Sequence, residues 1–274
     1  MTEDGSPKIY LLPNLMTAGN LFCGFAATLR IVEGALLEQT GGDPIKLYHT
    51  AIWFILGACI FDLLDGRVAR MGGHESPFGR EFDSIADIVS FGVAPALLIY
   101  RIVLQESYRW GWLIAFLYLV CGALRLARFN CIAAANIPGG DKEFKGFPIP
   151  AAAGTIASLT LFLLWWQSGE HAVTIGYGRY VLQPLMIFLA FMMFSRFRYP
   201  SFKAVNWRSK RSIPRFIIII SLIVFTAMNY EWMPAIIFIA YLIYGFVRPW
   251  ISRRWQREIE EEDDEDEIAA PPAP

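Results

Sequence analysis

Four aspartates carry the densest chemistry in this sequence. Residues 62–87 read "DLLDGRVARMGGHESPFGREFDSIAD", between the apolar stretches "AIWFILGACIF" and "IVSFGVAPALLIY". Asp62, Asp65, Gly66 and Ala69 recur at helical spacing and share one face of a helix. Gly79, Asp83 and Asp87, each four apart, share a face of the next one. The eight residues between Arg70 and Gly79, "MGGHESPF", contain Gly-Gly and Pro and are expected to turn the chain. Two antiparallel helix ends then aim four carboxylates at one place. On insertion scales each costs about 2.5–3.5 kcal/mol at the centre of a membrane helix, and less near the interface. Arg67, Arg70 and Arg80 offset part of this, and an ion-pair cluster is one reading. Arginine pairing, however, requires neither a fixed aspartate spacing nor small residues at Gly66, Ala69 and Gly79. Hard oxygen donors without His or Cys suit Mg²⁺ or Mn²⁺. Four carboxylates suit two such ions, the arrangement that clamps a phosphoryl group during in-line displacement. The small residues would let a nucleotide or pyrophosphate approach the backbone.

The elements that must hold these groups are membrane helices. Of 274 residues, 55% are hydrophobic and 18% charged, against about 25% charged in soluble domains. Apolar runs near the length that crosses a roughly 30 Å hydrocarbon core recur along the chain. Eight spans are expected, near 11–37, 48–70, 82–104, 111–133, 148–167, 180–197, 213–230 and 233–250. The fold class is therefore an all-α polytopic transmembrane bundle. Basic residues concentrate after spans two, four, six and eight, which puts both termini and the aspartates on the cytoplasmic side of the cell (inner) membrane. Nine acids fall within residues 258–267, leaving 24 basic against 16 acidic residues elsewhere. That acidic tail cannot bury a core. The acidic N-terminus "MTEDGSPK" does not look like a removable signal peptide. Cys23, Cys59, Cys121 and Cys131 lack metal-type spacing and read as small hydrophobes. His49, His74 and His171 are scattered, and only His74 lies near the aspartates.

The spacing Asp62-x2-Asp65-Gly66-x2-Ala69-Arg70-x8-Gly79-x3-Asp83-x3-Asp87 resembles the signature of the CDP-alcohol phosphatidyltransferase family at all eight fixed positions. The resemblance implies a six-helix transmembrane core, usually dimeric, that moves a phosphatidyl group from a CDP-linked lipid to an alcohol and releases CMP. It implies that Asp62, Asp65, Asp83 and Asp87 hold the metals and that Asp87 is also the base that deprotonates the alcohol. Gly66, Ala69, Arg70 and Gly79 would frame the nucleotide, with Ser76 where the family often has a phosphate-contacting hydroxyl. Asn14 and Thr17 are further candidates for nucleotide or lipid contact, or simply cap the first helix. The stretches "LPNLMTAGNLFCGFAA" (12–27), "ALRLARFN" (123–130) and "GFPIPAAAG" (146–154) are similar to the phosphatidylserine synthase branch. Where the glycerophosphate-using branch usually carries arginine, Asn20 stands here. The domain organisation implied is an N-terminal segment (1–10), the core (11–200), a basic loop (201–212), a C-terminal hairpin (213–250) and a basic-then-acidic tail (251–274).

A serine acceptor would bring its own carboxylate toward a site crowded with negative charge. That demands a cation, preferably one that forks onto two oxygens. Arg125 and Arg128, three apart at the cytoplasmic end of span four, are the serine-binding candidates; the other reading makes them positive-inside anchors. The expected partners are CDP-diacylglycerol, L-serine, membrane lipid and a second copy of the chain, with no nucleic acid. Glycerol 3-phosphate, inositol phosphate and choline are alternative acceptors. Two other classes compete. An intramembrane prenyltransferase would carry its aspartate motifs far apart in sequence, whereas these lie in one hairpin. A divalent-cation transporter would hold its site near mid-membrane on broken helices, whereas these carboxylates sit at one interface beside arginines.

Overall fold

The computed structural model describes residues 11–72, 76–106, 109–134, 144–167, 178–195, 198–199, 221–222 and 224–245. The N-terminal segment, the basic loop, the tail, His74, His171 and half of the expected seventh span lie outside the described residues. Helix α1 (Leu11–Gln39) and α2 (Ile45–Gly72) form an antiparallel pair. Both exceed the roughly 20 residues that cross hydrocarbon. Asp43 Oδ1 accepts from the Ile45 amide at 3.0 Å and so starts α2. The hairpin turn near the aspartates is shorter than expected, because α2 continues through Met71 and Gly72 and α3 (Pro77–Asp87) begins five residues before the anticipated 82. Ser76-Pro77 is the cause: Ser76 Oγ accepts from the Gly79 amide at 3.0 Å, and proline takes the first helical position, where its missing N–H costs nothing.

Past Asp87 the helix widens into a π-helical turn, Ile88–Val93, before resuming as α4 (Ala94–Ile102). Pro95 explains the irregularity. It has no N–H to offer the carbonyl four residues back, that of Phe91, and its ring crowds that carbonyl. The Tyr118 hydroxyl, on α5 (Gly111–Ala134), donates to the Phe91 carbonyl instead, at 3.0 Å. On the other side α1 lies against the π turn, where Ser90 Oγ donates to the Asn20 carbonyl at 2.9 Å. At Gly24 the approach is so close that an added Cβ would stand 2.5 Å from Ser90 Cα and nearer still to its hydroxyl. Gly24→Ala is therefore expected to destabilise the bundle by about 1–3 kcal/mol. A lowered thermal midpoint of the purified protein in detergent checks this, and an unchanged midpoint would mean the two helices part freely.

Helix α6 (Ile149–Gln167) is the most buried of the described spans and packs on α2 and the π turn; its Ala152, Ala153, Ile156 and Ala157 are inaccessible or nearly so. Small side chains there let helix backbones come together where no hydrophobic effect drives association. Helix α7 (Gly178–Phe194) lies along α5 and stops short of the expected 197. Its end is held by the loop before α6: the Phe147 amide donates to the Met192 carbonyl at 3.1 Å, as does the Ser195 hydroxyl at 2.8 Å. These bonds occupy a terminal carbonyl that a helix leaves without an internal partner. The chain then departs as a strand, β2 (Arg198–Tyr199), paired antiparallel with β1 (Phe144–Lys145). This two-residue ladder is the departure from the all-α expectation among the described residues.

Five described helical segments, Leu11–Gln39, Ile45–Arg67, Pro77–Ile102, Gly111–Ile132 and Ile149–Trp166, are long and apolar enough to cross a membrane. Two shorter apolar helices are Tyr180–Phe194, within α7, and α8 (Met233–Gly245). The turn before α8, at Asn229–Trp232, sits where the tight hairpin was expected.

Candidate active site

The helix ends bring the aspartates together. One carboxylate oxygen each from Asp62 on α2 and from Asp83 and Asp87 on α3 lie within 4.8 Å of one another. Asp65 stands beside this group, within electrostatic range of Asp83 and Asp62. It is not one of the three converging oxygens; the Thr17 hydroxyl on α1 lies 3.3 Å from its Oδ2. Asp65 and Asp87 are each 6% exposed, so the charges are drawn in from bulk water.

Helix α1 supplies a row of polar side chains three residues apart, all facing this cluster. Thr17 reaches Asp65, and one turn along, Asn20 Nδ2 donates to Asp87 Oδ1 at 3.1 Å. Asn20 is wholly buried. Its function was not legible beyond its place in the stretch 12–27; the spacing Asn14, Thr17, Asn20 along one helix face is the signal that points to it. Asn14 lies toward the start of α3, where its Oδ1 would be 3.4 Å from a Cβ added at Gly79. Ser76 is buried and uses its oxygen to cap α3. Gly66, Ala69 and Arg70 are on the last turns of α2; the side chains of Ala69 and Arg70 lie outside the described residues.

The arginines of "ALRLARFN" come from α5. Arg125 is buried at 7% exposure, and its guanidinium is in electrostatic range of both Asp87 and Asp62. Arg128, partly buried, is Arg125's neighbour. Arg128 Nη2 would lie 3.3 Å from a Cβ built at Gly146. Gly146 has φ +88°, and the added Cβ would also collide with the Met193 carbonyl. Glycine is required there on both counts. Asn130 Nδ2 donates to Ser84 Oγ at 2.9 Å and ties α5 to α3.

The donor set fits a hard divalent ion. Three carboxylate oxygens within 4.8 Å of one another are near enough to reach one such ion. Asp83 Oδ1 is buried and finds no hydrogen-bond partner among the described residues, which suits a role as a ligand atom. On the facing helix Asn14 Nδ2 and Asn20 Oδ1 are also buried without a hydrogen-bond partner among the described residues, one a donor and the other an acceptor.

The family model for CDP-alcohol phosphatidyltransferases matches residues 10–194, which include every one of these residues. The chain belongs to this family. Among CDP-alcohol phosphatidyltransferases and their kin it is similar to the CDP-diacylglycerol--serine O-phosphatidyltransferase of Helicobacter pylori strain J99, 35% identical across 89% of this chain and 92% of that protein. It is 35% identical to the archaetidylserine synthase of Methanothermobacter thermautotrophicus, across 73% of this chain and 74% of that protein. The Bacillus subtilis CDP-diacylglycerol--serine O-phosphatidyltransferase is 33% identical, across 70% of this chain and 91% of its own length. With its apolar helices, the chain is a multi-pass membrane protein of this family.

Proposed function

We propose that the protein is an integral-membrane enzyme that moves the phosphatidyl group of CDP-diacylglycerol to L-serine, giving phosphatidylserine and CMP. The observation that carries this reading is the buried Arg125 set against the carboxylates of Asp62 and Asp87 in a chain of this family. A buried guanidinium beside these carboxylates suits an acceptor that brings its own negative charge, which disfavours choline and leaves the phosphate-bearing alcohols to be separated from serine by the names of the relatives. Serine brings a carboxylate that needs such a cation. The serine-using names of its relatives point the same way. The transporter and prenyltransferase readings are not favoured.

In this reading Asp62, Asp65, Asp83 and Asp87 hold Mg²⁺ or Mn²⁺, with two ions for the four carboxylates. When bound, these ions neutralise the diphosphate and the charge that collects on departing CMP. Asn14, Thr17, Gly66, Ala69, Arg70, Ser76 and Gly79 line the CDP-lipid side. Asp87 takes the proton from the serine hydroxyl. The serine oxygen forms a bond to the phosphorus that carries diacylglycerol, and the bond from that phosphorus to the CMP oxygen breaks with its electron pair on CMP. Asn20 holds Asp87 in orientation for this transfer. Arg125 and Arg128 hold the serine carboxylate. The enzyme works as a homodimer in the inner membrane, with the site and both termini toward the cytoplasm, as the distribution of basic residues favours. The catalytic core is residues 11–200 and the hairpin is 213–250.

The direct test is to supply membranes containing the protein with CDP-diacylglycerol and a panel of serine, glycerol 3-phosphate, inositol phosphate and choline, and to follow CMP release. Release that depends on serine is expected; dependence on another alcohol overturns the acceptor. Arg128→Lys tests the arginines. It keeps the charge and loses the fork, so the KM for serine should rise about 10- to 150-fold, the worth of a charge-assisted pair. CDP-diacylglycerol affinity should hardly change. Arg125→Lys should act alike, and serine kinetics unaltered in both would remove these residues from the site.

A further inference from the structure

Asn20 is gripped at two points by the segment that carries Asp87. Its side-chain amide donates to Asp87 Oδ1 at 3.1 Å, and its main-chain carbonyl accepts from Ser90 Oγ at 2.9 Å. Asn20 and Ser90 are both wholly buried. The Asn20 carbonyl lies within α1, where the Gly24 amide, four residues on, is its ordinary helical partner. A carbonyl has two lone pairs, so the Ser90 hydroxyl takes the second. It comes that close because Gly24 has no side chain; a Cβ there would collide with Ser90.

Ser90 belongs to the π turn. The Ala94 amide donates to the Val89 carbonyl, five residues back, as the wider turn requires. Each residue inserted into a helix rotates the faces beyond it by about 100°. The turn thus lets α3 present Asp83 and Asp87 to the carboxylate cluster while α4 packs Ala94, Leu98 and Ile99 into the core. The next residue along is tied to a different helix: the buried Tyr118 hydroxyl on α5 donates to the Phe91 carbonyl at 3.0 Å. Adjacent positions of the turn are therefore pinned to α1 and to α5.

One hydrogen bond between two helices leaves a hinge, whereas two in different directions remove it. Bonds from residues 87 and 90 to a single residue of α1 keep the Asp87 carboxylate from swinging about Asn20. A base must stay within hydrogen-bond reach of the hydroxyl it deprotonates, and small misplacements of reacting groups lower the rate steeply. We propose that the π turn is a positioning device for Asp87, with Ser90 acting through Asn20 and Tyr118 bracing the turn through the Phe91 carbonyl. This rests on the reading of Asp87 as the base. Ser90 and Tyr118 are positioning residues, since each acts through another group.

The experiment uses the full chain in nanodiscs, with CMP release followed as serine and CDP-diacylglycerol are varied separately. Ser90→Ala takes a second donor from a carbonyl that keeps its helical partner, so the thermal midpoint should hardly move. Its kcat should nonetheless fall about 2- to 12-fold, the worth of one hydrogen bond, with both KM values unchanged. In the Asn20→Ala background the same change should add nothing, because the link to Asp87 is already cut. Tyr118→Phe should lower kcat in the same pattern and also lower the midpoint, because Pro95 has no amide to replace the lost hydroxyl. Thr160→Ala controls for stability alone: Thr160 is buried and bonds its own helix at the Ile156 carbonyl. It should lower the midpoint and leave kcat at the wild-type value. A wild-type kcat in Ser90→Ala or Tyr118→Phe, a Ser90→Ala loss that adds fully to that of Asn20→Ala, or an equal loss in Thr160→Ala would overturn the positioning role and leave the base reading intact. Normal turnover of the bound complex in Asp87→Asn would overturn the base reading itself, and this inference with it.

Discussion

Asp62→Asn and Asp83→Asn are each expected to abolish CMP release while the protein stays folded. Asparagine keeps the shape of the side chain and removes the charge, so the helices that carry the site are undisturbed. Changing a residue that only supports a metal ligand costs about 10- to 100-fold in affinity or activity; replacing a ligand itself should cost more. Asp83 is the sharper probe, since its Oδ1 is buried with no hydrogen-bond partner among the described residues. A second readout separates ion binding from catalysis. Three carboxylate oxygens within 4.8 Å repel one another unless a cation or proton intervenes. Wild-type protein should therefore gain thermal stability on addition of Mg²⁺ or Mn²⁺ in proportion to the logarithm of its concentration. Asp83→Asn should lose most of that gain and should be no less stable than wild type in excess chelator. Robust turnover in chelator, or a full metal-dependent rise in the variant, would sink the assignment of these carboxylates as ligands.

The aspartate geometry was legible because it is local. Side chains three and four apart on a helix must share a face, and one short turn must bring two such faces together, so Asp62, Asp83 and Asp87 follow from spacing alone. What escaped the sequence depends on partners distant along the chain. Asn20 is separated from Asp87 by 67 positions, and nothing in its own neighbourhood says which residue its amide will meet. Likewise, Thr17 sits beside Asp65, a distinction between four similar aspartates that only the position of α1 can make. The π turn was hidden because the run "IVSFGVAPALLIY" has ordinary helical composition; only Pro95, paired with the Tyr118 hydroxyl that takes the Phe91 carbonyl, accounts for it. Helix ends were misplaced for a related reason. Hydropathy finds the apolar middle of a span, whereas α3 starts where Ser76 and Pro77 start it, in a polar stretch.

Asp87→Asn separates the roles of base and ligand. Asp87 lies directly before the π turn and is held by Asn20. An amide at residue 87 can still accept from Asn20 through its oxygen, so the side chain should keep its place and CDP-diacylglycerol should still bind. What it cannot do is take a proton. A serine hydroxyl is a weak nucleophile at neutral pH, and a positioned base contributes typically 10²–10⁴-fold. Turnover at saturating serine and CDP-diacylglycerol should fall by about that factor, with kcat and kcat/KM falling together, as they do when an interaction made in the transition state is removed. Asn20→Ala offers the complementary measurement. It leaves the base in place but unanchored, so its loss in kcat should be smaller than that of Asp87→Asn. The two losses should also fail to add in the double variant, because an anchor has no value once the base is gone. If Asp87→Asn instead loses CDP-diacylglycerol binding, and the residual complex turns over normally, Asp87 serves as a metal ligand alone. The proton would then leave the serine hydroxyl by another route, and Asp65, set apart from the three converging oxygens, would be the next carboxylate to test.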